Sequence, residues 1–262
     1  MKRVFFAGAA VAAASMLAAC SGQQAAGDAQ SAKLVAAADA LQKKVGEPGE
    51  KAQMPPADDP DVKAFDAEAQ KALVALGTPA MPVMGMDSFD RLCGGATNVM
   101  AAYVSAGTGA AGKGAPAMSE QAKAAKMNEN ATRYMGQILT PLLYAAHCTA
   151  VHMPVIDKEL ATTDLSGKAD AVGRVRNGAY GQASGLVQMA ASGDIQPGQR
   201  KQVIDVLVRD AGAFAIAFTP AQRREIAASV DQAAQASPDV KAQAERIKAD
   251  IARAPCGKLC SA

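Results

Sequence analysis

The chain has 262 residues, 27 Lys and Arg against 25 Asp and Glu, no Trp, and aromatic residues at 4%. A nearly neutral chain this poor in rings offers neither the basic surface nor the stacking platforms that nucleic acid needs. Its alanine-rich, half-hydrophobic composition favours helices over strands.

Lys2 and Arg3 precede an apolar run from Val4 to Met16, which Leu17-Ala18-Ala19-Cys20 closes. This is secretory signal-peptide anatomy, too short for a permanent bilayer span. The stretch around Cys20 resembles the lipobox of bacterial lipoproteins. The resemblance implies diacylglyceryl transfer to the Cys20 thiol, cleavage after residue 19 and acylation (palmitate or similar) of the new amino group. Several acyl chains on one residue are enough for stable anchoring. Ser21 stands where an Asp would favour the inner membrane, so the resemblance points to the periplasmic face of the outer membrane. With Lys2 and Arg3 removed, the mature side chains balance at 25 basic and 25 acidic.

Residues 1–19 are therefore read as signal peptide, 20–58 as a lipidated tether and 59–262 as a helical domain. Ser21 to about Ala32 is a Gly, Gln, Ala and Ser tether. Leu34, Ala38, Leu41 and Val45 recur at helical spacing and predict one short amphipathic helix. Pro48, Gly49, Pro55, Pro56 and Pro60 then mark a linker.

The folded part is expected to open at Asp59-Pro60, a cap followed by proline at the first helical position. Val62, Phe65, Ala69, Leu73 and Leu76 make the first stripe, and Gly77 ends it. Asp87 is expected to cap a second helix with Phe89, Leu92, Cys93, Ala96 and Val99 inward. Gly107 to Pro116 reads as a Gly/Ala loop. Ser119 opens the longest pattern, with Tyr134, Ile138, Leu142, Ala145, Thr149 and His152 as its stripe. That helix is expected to kink at Pro141 and stop at Met153-Pro154. A glycine-rich helix over 166–191 follows, carrying Gly173, Gly178, Gly181 and Gly185. Their cost against alanine calls for a closely packed neighbour. Helices then start at Pro197, Pro220 and Pro238. No segment alternates with period two, so the expectation is an all-α bundle of about six or seven helices.

Two helix starts match position by position, Pro197-Gly-Gln199-Arg200 and Pro220-Ala-Gln222-Arg223. Helix-start chemistry explains them without duplication. Phe218-Thr219-Pro220-Ala-Gln222 also resembles the Leu-Thr-Pro-x-Gln box of small periplasmic helical chaperones, with Phe in place of Leu.

Cys93, Cys148, Cys256 and Cys260 form an even set, which an oxidising compartment turns into two disulfides. Three pairings are open. Cys93–Cys148 joining two helices and Cys256–Cys260 closing the tail is the expected one, with a crossed arrangement its rival.

Met81-Pro-Val-Met84-Gly-Met86 places three thioethers at a spacing that suits Cu(I), with His147, His152 and Met153 as possible further ligands. The same methionines would equally seal a bundle. His147-Cys148 and His152 lack zinc-site spacing, and a five-residue step turns the two rings apart on a helix. His152, on the apolar stripe, is expected to be partly buried and hydrogen-bonded. Gly107 to Lys113 imitates a phosphate loop but has Gly114 where Ser or Thr is needed. Gly181-x-x-Ser184-Gly185 is out of register for a nucleophile elbow. Two histidines and scattered carboxylates assemble no acid–base set and imply no cofactor. The expected activity is therefore binding: an envelope accessory protein, inhibitor or chaperone-like module held to the membrane through Cys20 and docked on another envelope protein. A periplasmic copper protein is the alternative.

Overall fold

The computed structural model describes residues 29–46, 55–108, 119–193 and 195–261, and among these it is entirely helical, apart from a single bridge between Leu76 and Met81. The expected signal sequence, Cys20, the start of the expected tether, residues 47–54 and residues 109–118 of the Gly/Ala stretch lie outside the described residues. Among the described residues nine α-helices follow in order: α1 (29–45), α2 (Pro60–Ala75), α3 (Met86–Thr108), α4 (Glu120–Ala161), α5 (Ala169–Ala191), α6 (Pro197–Ala215), α7 (Pro220–Ala236), α8 (Lys241–Arg253) and α9 (Lys258–Ser261). A single 3₁₀ turn, Pro238–Val240, leads into α8.

Four starts follow the chemistry read from sequence, whereas Asp87 lies inside the first turn of α3 and does not cap it, α5 opens at Ala169 and not at Ser166, and Pro238 opens the 3₁₀ turn ahead of α8. Asp59 accepts from the Asp61 amide with Pro60 behind it, Ser119 accepts from the Ala122 amide, and Pro197 and Pro220 open α6 and α7. The stop predicted at Met153-Pro154 does not occur. Helix α4 runs through both Pro141 and Pro154 to Ala161. Each proline removes one ladder bond, and burial along the rest of the helix offsets that loss. Helix α3 likewise runs through Gly107, past the expected end.

Helix α4 is the wall between two cores. Met135, Leu139, Leu143, Ala146, Ala150 and Met153 step along one face and pack with α5 to α9. Tyr144 and Cys148 sit on another face and pack with α1, α2 and α3. The stripe read from sequence (Tyr134, Ile138, Leu142, Ala145, Thr149, His152) falls on the flank between the two faces, where most positions are only half-buried. An alanine-rich helix fits several phases, so composition alone picked the flank. The segment Tyr134–Ala161 is long and apolar enough to cross a bilayer, but 67% of its apolar window is buried inside the protein. That makes it a core helix.

The folded part does not begin at residue 59. Leu34, Ala38, Leu41 and Val45 of α1 are fully buried against α2 and α3. Gln30 Nε2 donates to Glu68 at 2.7 Å, and Lys44 Nζ bridges Asp59 and Asp61 at 2.8 and 2.6 Å. Those contacts run α1 antiparallel to α2. Burial of the three larger side chains contributes about 1.5–3 kcal/mol each, which fixes this helix in the body of the fold.

The close approach expected at the α5 glycines is also corrected. A β-carbon at Gly173, Gly178, Gly181 or Gly185 would meet no atom within 4 Å. Among the described helical glycines the tight contact is at Gly95 of α3, where a β-carbon would lie 2.8 Å from that of Ala38. It lets α1 lie flat on α3.

Candidate functional site

The most elaborate polar arrangement lies on the side of α4 that faces α6. His147 Nδ1 is 2.9 Å from both carboxylate oxygens of Asp210, and the two side chains are 3% and 4% exposed. A carboxylate accepts, so Nδ1 carries the proton and donates. Arg209 Nε and Nη2 donate to the same two oxygens at 3.1 and 3.3 Å. Its Nη1 donates to the carbonyl of Leu73 at the end of α2, 2.7 Å away. One buried carboxylate thus ties α4, α6 and α2 together. Removing one partner of such a set leaves a desolvated charge behind.

The same turn of α4 is fastened to α3. Tyr144 Oη donates to the Leu92 carbonyl at 3.1 Å, and burial pushes its phenol above the ordinary value. Cys148 is bonded to Cys93, with Cα atoms 5.9 Å apart. The second bridge is Cys256–Cys260, with Cα atoms 5.2 Å apart, so the uncrossed pairing holds and none of these four thiols is a metal ligand.

An imidazole oriented by a carboxylate is the pairing that serves proton transfer, provided its second nitrogen reaches a substrate. His147 Nε2 is buried and meets no protein partner. The geometry therefore joins helices, and it supplies no exposed base.

His152 is placed differently. Its ring stacks on Phe89 at 4.3 Å and is 2% exposed, and its Nε2 also lacks a protein partner. Burial lowers its pKa, while the charges of Glu159 and Asp90 pull the other way. It is thus more deeply buried than expected, with its ring face resting on Phe89. The two histidines point to different neighbours, one toward α6 and the other toward α3.

The methionine trio is split. Met81 is buried in the smaller core, and its carbonyl accepts from Gly77, whose φ of +79° suits glycine and whose β-carbon position is 3.0 Å from Val151. Met84 and Met86 are exposed, at 79% and 50%. Ser88 Oγ accepts from the Met84 and Gly85 amides at 2.8 and 3.1 Å and fixes that turn. Met153 faces the larger core. Among the described residues, no three His, Cys, Asp or Glu side chains gather to hold a metal ion.

A second polar centre surrounds the Thr219-Pro220-Ala-Gln222-Arg223 box. Thr219 Oγ1 accepts from the Gln222 amide at 3.2 Å, and Gln222 Oε1 accepts from the Thr219 amide at 3.0 Å, a complete capping box. Arg223 then donates to four carbonyls: Phe218 at 3.2 Å, Ala215 at 2.7 Å, Ala254 at 2.6 Å and Pro255 at 2.8 Å. The tail is further held by the Leu259 amide, which donates to Asp157 at 2.8 Å. The box that resembled a chaperone motif thus has a local job, fastening the end of α6 and the C-terminal tail.

At the matching start of α6, Gln199 Oε1 accepts from the Gln196 amide at 3.0 Å, and Arg200 Nη2 donates to the Ser192 carbonyl at 2.8 Å. Beyond Arg200 opens a cleft of about 310 Å³, lined by Pro197, Lys201, Asp205, Asp239 and Gln243.

Comparison with family models, with curated proteins and with solved structures gives no match.

Asp210, Arg209 and the role of Arg200 were not found from sequence. Asp210 did leave a trace there: it shares the helical phase of Val203, Val206, Leu207 and Phe214, and a lone carboxylate on an apolar face needs a buried partner.

Proposed function

We propose that this chain is an outer-membrane lipoprotein of the periplasm whose helical body acts by binding another envelope protein, as an accessory, inhibitory or chaperone-like module. One combination supports the reading. The lipobox-like Leu17-Ala18-Ala19-Cys20 precedes a body in which Cys93, Cys148, Cys256 and Cys260 are all paired. Disulfides persist in the oxidising compartment to which such a leader delivers its cargo. Catalysis is the weaker reading, because the imidazole best placed for it is spent on a helix junction.

The test has two parts. Labelled palmitate should enter the wild-type protein and not a Cys20→Ala variant, which should leave the membrane fraction. Crosslinking in intact cells, followed by purification, should then recover one envelope protein in stoichiometric yield. Failure of labelling removes the anchor, and a bare bait removes the binding role.

Soft-metal handling keeps only Met84 and Met86, two thioethers exposed where methionine is usually covered. Anaerobic titration with Cu(I) that shows no sub-micromolar binding removes it.

A further inference from the structure

We propose that the cleft between α6 and α8 is a peptide-docking site, in which Arg200 receives main-chain carbonyls from an extended, proline-bearing segment of the partner. This rests on the binding reading above and gives it a location. The warrant is a precedent inside the same molecule.

Arg200 and Arg223 occupy the same position in matching helix starts, and each donates to a carbonyl eight residues back. At Arg223 the fork goes on to take the consecutive carbonyls of Ala254 and Pro255, in the extended stretch that leaves α8. Among the described residues, donation from Arg200 stops at Ser192, and its buried Nε has no partner. A guanidinium has five N–H groups in a rigid fork, so Arg200 keeps most of its donors uncommitted beside an open cleft.

The rim decides the kind of acceptor. Lys201 pairs with Asp205 at 2.6 Å, and Asp239 adds a second carboxylate. With two acids facing two bases, a neutral carbonyl is favoured over a phosphate or a free carboxylate. The floor decides the side chain. An apolar slot of about 20 Å³ shares Ile204, Val240 and Gln243 with the cleft and is walled by Ala190, Ala233 and Ala244. That is room for one methyl-sized group. An alanine beside a proline fits both demands, as Ala254-Pro255 does at Arg223.

The probe is a blocked peptide copying residues 252–257 of this chain with the Cys256→Ser change. It is titrated into the full-length mature protein in detergent micelles while the arginine Nε–H resonances are followed by NMR. The Arg200 resonance is identified by its loss in Arg200→Lys. It should shift and saturate with a Kd below about 1 mM, while that of Arg223 stays in place. Peptide binding, read independently by fluorescence anisotropy, should weaken about tenfold or more in Arg200→Lys. It should also be lost in Ala244→Leu, which fills the slot and keeps the charge. No Arg200 shift at several times that concentration, or equal affinity in Arg200→Lys, overturns the proposal. Should a variant not fold, the wild-type titration decides alone. Peptide silence with intact capture of an envelope partner sinks the cleft and leaves the binding module standing.

Discussion

Removing Cys93–Cys148 should destabilise this protein about twice as much as removing Cys256–Cys260. The first bridge closes a loop with a sequence separation of 55 and the second one of 4. Chain entropy then gives about 4 kcal/mol for the long loop and about 2 kcal/mol for the short one. Surroundings widen the gap. Cys93 and Cys148 are fully buried in the smaller core, so truncation also leaves unfilled space. The tail keeps the Arg223 fork and the Leu259–Asp157 bond after its own bridge is gone. Against the usual 5–15 kcal/mol for a domain, the first loss is a large share. The assay is urea unfolding of two double variants, Cys93→Ala/Cys148→Ala and Cys256→Ala/Cys260→Ala, followed by circular dichroism and tyrosine fluorescence. Substituting both partners leaves no free thiol for exchange. Equal losses, or a larger loss for the tail pair, would refute the reasoning.

Three further outcomes are expected. Burial pushes Asp66 from its ordinary 3.8 up to about 6, against a hydrogen bond from Thr140, and its Oδ1 has no partner. A carboxylate raised on folding costs stability once ionised, so this contribution is absent below about pH 4 and grows as pH rises through 6. Asp66→Asn should therefore stabilise by about 1 kcal/mol at pH 7.5, after discounting for its partial exposure, and by nothing at pH 4. Paired thermal melts at the two pH values check this.

Asp210→Ala should cost about 3–5 kcal/mol in chemical denaturation, because His147 and Arg209 lose their shared acceptor inside the fold. A double-mutant cycle with His147→Ala should return a coupling above about 1 kcal/mol, and a strictly additive result would dismiss the junction. Arg223→Met should lower stability by about 3 kcal/mol or more, and Arg200→Met by about 1.5 kcal/mol, the larger loss going with the larger number of carbonyls served. Denaturant midpoints for the two variants give that ranking.

Much of the fold was legible because it is local. Caps and prolines marked where α2, α4, α6 and α7 begin, and the stripes of α2 and α3 placed Phe65, Cys93 and Val99 inward. One cysteine on each of two long helices and two close together in the tail favoured the observed pairing, while the crossed rival stayed open until the structure decided. The phase of α4 was not legible, because a helix buried on two sides carries no single stripe. Nor was the docking of α1, which depends on a long-range fit between Gly95 and Ala38. The polar junction escaped for the same kind of reason: His147 and Asp210 are 63 residues apart, and nothing local couples them. The methionine trio misled in the opposite sense, since even spacing along the chain concealed one inward and two outward side chains.

Because one long rod supplies a wall to each half of the molecule, neither half can be prepared alone. A piece ending at residue 161 would lay bare Met135, Leu139, Leu143 and Ala150. A piece starting at residue 119 would show solvent the ring of Tyr144 and the cut end of the Cys148 bridge. Each would be a sticky fragment, and chaperones and proteases would meet this chain as one indivisible unit.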